Sequence, residues 1–76
     1  MERKKTLAAY KTGPGQISTT VDGSGGDAIE MLAMLHRTVA NLMLEHGTPW
    51  NDVYSALHQV TDIGLKMAHD DRKGRN

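Results

Sequence analysis

Between Pro49 and His69 the apolar side chains spread over about 200° of a helical wheel, twice the ~100° that packing against one partner helix requires. Trp50, Val53, Tyr54, Ala56, Leu57, Val60, Ile63, Leu65, Met67 and Ala68 make up the arc. Tyr54 and Leu65 bound it on one side and Ile63 on the other. Asn51, Asp52, Ser55, His58, Gln59, Asp62, Lys66 and His69 take most of the remaining surface. Any fold must cover both flanks or leave one to a partner. A chain of 76 residues has little to cover them with. It is one domain at most, and a lone core of this size supplies only ~3–5 kcal/mol. With no Cys, disulfides, thiolate zinc sites and thiol catalysis are all excluded. Packing, self-association or a His/carboxylate metal site remain.

A first helix precedes this one. Asp27 stands where an N-cap is expected, with Glu30 three residues on in the capping-box position. Ile29, Leu32, Leu35, His36, Val39, Leu42, Met43 and His46 then recur at spacings of three and four, within roughly 40% of the wheel. Met34 and Leu44 lie off that stripe, with Ala33 and Ala40 between the stripe and Leu44. Gly47 supplies the left-handed stop. Thr48 is expected to cap the second helix, with Pro49 at its first position. So short a linker makes the helices antiparallel neighbours or a tight angled pair. Gly64 costs about 1 kcal/mol against Ala, and facing the first helix it would allow close backbone approach.

Upstream, Gln16–Asp22 (QISTTVD) alternates Ile17, Thr19 and Val21 with polar residues, as a half-buried strand does. Thr12-Gly13-Pro14-Gly15 is a turn signal. Residues 6–11 (TLAAYK) read either as the other strand of a hairpin or as a frayed helical turn. The expected organisation is a flexible basic lead-in over 1–5, a single ββαα domain over 6–69 and a charged disordered tail over 70–76. The fold class is α+β and mostly helical: a β-hairpin or strand followed by an antiparallel two-helix hairpin, completed by dimerisation.

Two coverings compete for the surplus apolar surface. One is the N-terminal hairpin. The other, favoured here, is a second copy forming a homodimer with a shared helical core. Met34, Leu44, Trp50, Tyr54, Ile63 and Leu65 are the expected partner or dimer contacts, because exposed aromatics and Met commonly anchor interfaces. Met31, Met43 and Met67 also suit adaptable packing.

Net charge is +0 and pI ≈ 6.9, so no strong field steers the chain to nucleic acid or an anionic membrane. Basic residues gather at the ends: Arg3, Lys4, Lys5 and Lys11, then Arg72, Lys73 and Arg75. There is no apolar signal region and no ~20-residue apolar run, so a cytoplasmic location is expected. His58 and Asp62 share a helix face, but two ligands do not make a metal site. No metal and no cofactor are expected. His36, at the edge of the apolar stripe, reads as a hydrogen-bonding core-edge residue. Ser18, Ser24 and Ser55 lack a visible base and orienting partner, so the chain reads as non-catalytic. Gly23, Ser24, Gly25 and Gly26 precede a helix and form a candidate anion-binding loop. Asp22 and Asp27 oppose an anion there, and no Lys follows. The helix, short turn and Thr-Pro restart invite a helix-turn-helix reading, yet the second helix carries only Lys66 before its charged end. Its first turn presents Trp50, Asn51 and Asp52.

The sequence QISTTVD, a Gly-rich break, DAIEMLAMLHRTVANLMLEHG and a second amphipathic helix together resemble, in style, small orphan proteins of phages and prophages. That resemblance implies a compact oligomer that neutralises a host factor or signalling ligand, or that serves phage gene control. The leading expectation is a non-catalytic inhibitor or adaptor engaging a host protein. A sponge for a small anionic, nucleotide-like ligand is the second, and a DNA-binding regulator the third. Nucleic acid is disfavoured and no membrane partner is expected.

Overall fold

A computed structural model describes residues 4–74. The element order is β1 (Thr6–Gly13), β2 (Gln16–Asp22), α1 (Gly25–Glu45) and α2 (Trp50–Lys73). The architecture is α+β and mostly helical, with an antiparallel hairpin ahead of two helices. Residues 6–11 are therefore strand, and β1 runs on to Gly13. The contacts group into two compact units, Met1–Arg37 and Thr38–Asn76.

In the first unit, β1 pairs with β2 through Leu7↔Val21, Ala9↔Thr19 and Lys11↔Ile17 on one face. Tyr10↔Ser18 and Ala8↔Thr20 lie on the other. Gly13 pairs with Gln16, so Pro14 and Gly15 alone make the turn. Pro presets the first turn residue, and Gly15 at φ 71° takes the left-handed one. A Pro-Gly turn of this hand does not match strand twist. The register shift between Lys11 and Gly13 accommodates it, leaving Thr12 as a bulge.

The cap of α1 lies three residues earlier than the sequence pattern placed it. Ser24, not Asp27, is the N-cap. Ser24 Oγ accepts from the Asp27 backbone N–H at 3.1 Å. Asp27 Oδ2 in turn accepts from the Ser24 N–H at 3.0 Å and from its hydroxyl at 2.9 Å. This is a capping box with Asp in the place of Glu, and it satisfies two orphan N–H groups reciprocally. Glu30 has no part in it. Gly25 and Gly26 thus belong to the first turn of the helix, not to the break.

In the second unit α1 ends as the glycine signal predicts. Gly47 has φ 90°. Its N–H donates to the Leu44 carbonyl at 3.0 Å, and the Thr48 N–H reaches back to Met43 O at 3.0 Å. Those two bonds are a Schellman stop. The Thr48 N–H closes that stop, and Thr48 does not cap α2. Pro49, at φ −63° and ψ 148°, is the flanking residue, and no side chain caps the helix. Pro49 O takes the first bonds instead, from Asp52 and Val53. At its other end α2 continues through Asp70–Lys73, four residues beyond the expected end at His69. Arg72 and Lys73 in the last turn suit the negative end of the helix dipole.

Burial is concentrated at the junction between the helices. Val53 is the one fully buried side chain among the described residues, at 1% exposure. Met43, Thr48, Ala56 and Leu57 around this turn are half-buried. From His58 to Lys73 every position of α2 is exposed.

Candidate functional site

All six residues expected to meet a partner are exposed: Met34, Leu44, Trp50, Tyr54, Ile63 and Leu65, at 39–65%. They do not form one patch. Met34 belongs to the first unit and the others to the second. On α2, Trp50, Tyr54 and Leu65 share one strip, while Ile63 lies on the opposite flank at about 100° per residue. Leu44 sits in the last turn of α1.

The strip on α2 has an internal order that comes from four-residue spacing. Trp50, Tyr54 and His58 stand one turn apart, which brings their side chains over one another. The Trp50 and Tyr54 ring centroids are 6.5 Å apart and tilted by 47°. Tyr54 and His58 are 4.4 Å apart and tilted by 40°. Each ring limits the rotamers of the next, which makes this a partly preorganised aromatic surface. Trp50 is 59% exposed and Tyr54 56%. Trp50 and Tyr54 are among the contacts expected from sequence, whereas His58, which with Asp62 makes no metal site by itself, is not among them and lies over the Tyr54 ring. The i, i+4, i+8 spacing was the signal for the ladder.

In the first unit an open groove of about 440 Å³ is lined by Lys5, Thr6, Leu7, Glu30, Met31, Met34 and Leu35. Leu7, Met31, Met34 and Leu35 make its walls apolar. Of these, Met34 is an expected contact and Met31 an expected packing residue; the others are not anticipated as contacts by the sequence pattern. The partnership of Leu7 with the methionines depends on strand–helix placement that spacing does not encode.

The loop Gly23, Ser24, Gly25 and Gly26 is engaged by its own helix. The Ser24 and Asp27 N–H groups bond within the capping box. Lys5 Nζ lies 3.3 Å from both Asp27 carboxylate oxygens. The Asp27 carboxylate thus occupies the position an anion would take at this helix N-terminus. Its pKa is lowered, first by the Ser24 backbone N–H, then by the Ser24 hydroxyl, then by Lys5.

The sign of the pH effect follows. A carboxyl with a lowered folded pKa contributes stability that is complete above its unfolded value of about 3.9 and lost as pH falls through the folded one. Far-UV circular dichroism of the protein and of Asp27→Asn should run parallel from neutrality to about pH 4 and converge below it. Curves that stay parallel down to pH 2 would remove Asp27 from the cap.

Among the described residues no three His, Asp or Glu side chains gather where they could hold a metal ion. His36 Nδ1 lies 2.8 Å from the Leu32 carbonyl oxygen, a contact made within its own helix. No described helix is long and apolar enough to cross a membrane.

Comparison with protein-family models, with curated proteins and with solved structures returns no match. The functional reading therefore rests on the geometry of these surfaces.

Proposed function

We propose that the protein is a non-catalytic binding module of the inhibitor or adaptor type, which engages a protein partner through the aromatic strip of α2. The observation that carries this reading is the exposed Trp50–Tyr54–His58 ladder, extended along the same strip by Leu65. Aromatic side chains bring large apolar area and few rotatable bonds to a contact, which is why they dominate interface energetics. The strip is also poor in positive charge, which favours a protein over a nucleic acid. The groove in the first unit favours an apolar segment as a secondary contact. Its walls are apolar, Glu30 stands at the lining, and Lys5 is paired with Asp27, so it suits a nucleotide-like anion poorly.

The test is affinity capture with the protein and with a Trp50→Ala/Tyr54→Ala double variant. A partner held through the strip should bind the variant roughly 30-fold or more weakly, since interface anchors are worth 2 kcal/mol or more each. Trp50 is the sole tryptophan, so its emission should shift to the blue when the purified partner is added. A partner retained equally by both forms would overturn the reading. So would captured nucleic acid with the steep salt dependence of phosphate contacts.

A further inference from the structure

The apolar surface of α2 is two surfaces, and the second is a line that the chain itself covers only at its start. Val53, Ala56, Val60, Ile63 and Met67 follow each other at alternating spacings of three and four, the repeat of a coiled-coil seam. At about 100° per residue the mean direction of this seam lies about 100° around the helix from Trp50 and about 140° or more from Tyr54 and Leu65. Its first members are covered by the chain itself: Val53 is buried, and Ala56 and the adjacent Leu57 are half-buried. The same line then runs out into solvent, where Val60 is 54% exposed, Ile63 51% and Met67 62%. An isolated helix end of this length is marginal in water, and β-branched Val60, Thr61 and Ile63 with Gly64 make it more so.

We propose that α2 pairs with α2 of a second copy, antiparallel, along the seam centred between Thr61 and Asp62. Three features single out a second copy as the occupant. The first is steric self-complementarity. Antiparallel pairing about that centre sets Val60 against the partner copy's Ile63, and Met67 against its Ala56. It sets Leu57 against its Gly64, where a large side chain meets a residue with no side chain. A two-fold axis makes each of these contacts twice. The space over Gly64 is open in the single chain: a methyl added there meets nothing within 4 Å.

The second feature is charge. The flanking positions in this register are Asp52, Gln59, Lys66 and Lys73. Antiparallel pairing brings Asp52 within reach of the partner copy's Lys73, and Gln59 within reach of its Lys66, each pair twice. Parallel in-register pairing would instead set Asp52, Gln59 and Lys66 against the partner copy's Leu57, Gly64 and Asp71, which leaves Asp52 and Lys73 without an opposite charge.

The third is area. From His58 to Lys73 every position of α2 is exposed, Val60, Ile63 and Met67 among them, and a standard interface removes about 800 Å² from each partner. The pairing goes beyond the proposed function and uses a different face, so failure of either leaves the other standing.

The test uses the full chain. Light scattering over a dilution series should give a mass near twice 8.3 kDa, falling with dilution. Ile63→Glu should weaken association by about 100-fold or more, because it places two unpaired carboxylates in one seam. Ile63 is exposed in the single chain, so helicity should persist. Leu65→Glu, on the aromatic strip, should leave the mass unchanged. The chain has no Cys, so Arg72→Cys takes a single spin label per copy. Antiparallel pairing puts two such labels about 30 Å apart along the axis, at 1.5 Å rise per residue. Parallel pairing puts them within about 20 Å, little more than the interaxial spacing. A monomer at millimolar concentration, a dimer indifferent to Ile63→Glu, or a short label distance would each overturn the proposal.

Discussion

Val53→Asp should abolish cooperative thermal unfolding at any pH where the carboxyl is ionised. The junction between α1 and α2 is the place in the described chain where a side chain is withdrawn from water entirely. An unpaired carboxylate there costs several kcal/mol, or pays the same order by neutralising. A small core of this kind supplies only ~3–5 kcal/mol in total, so the substitution exceeds the margin. Leu65→Asp, at a position 65% exposed, should shift stability by less than about 0.5 kcal/mol. Circular dichroism melts of the two variants decide the matter. Equal melting temperatures would mean that burial at the junction does not hold the second unit together.

Gly23→Ala should be the most damaging substitution in the first unit. Gly23 has φ 139°, a region that side chains beyond glycine rarely enter, at a cost on the order of 1–3 kcal/mol. The added methyl would also stand 3.2 Å from both Cβ and Oδ2 of Asp27. It therefore presses on the carboxylate that closes the capping box with Ser24, and loss of such a cap costs ~1 kcal/mol more. Gly25→Ala, two residues on, meets nothing within 4 Å and lies in the helix. It should be neutral or stabilising by up to about 1 kcal/mol. Chemical denaturation of both variants gives opposite signs if the cap is built as described. A Gly23→Ala chain as stable as the parent would mean that the backbone there relaxes freely.

The elements were readable because each leaves a local mark. Period-two alternation announced β2, Pro-Gly announced the turn, and Gly47 announced the stop of α1. What was not readable depended on which of two local partners a group chooses. Asp27 and Ser24 are both good caps, and periodicity alone does not say that the helix begins within Gly25-Gly26. Thr48 is likewise a good cap, yet α2 begins one residue later, with Pro49 as its flanking residue. The extension of α2 to Lys73 escaped because Asp70–Lys73 bury nothing, so hydrophobic periodicity has no signal there. Exposure of Met34, Leu44, Trp50, Tyr54, Ile63 and Leu65 followed from the width of the apolar arcs. The place of Met34 in a groove did not, because it depends on strand–helix placement, nor did the separation of Ile63 from Trp50, Tyr54 and Leu65, because it depends on where burial stops along α2.

A chain with Val53 as its one fully buried side chain among the described residues has an unusual mutational landscape. In most domains, intolerance to substitution maps the interior and says little about purpose. Here the interior asks for little beyond Val53 and the Gly23–Asp27 cap, so a saturation scan scored in living cells would be dominated by whatever the exposed surface does. Surface positions that resist change would mark where the chain touches another molecule.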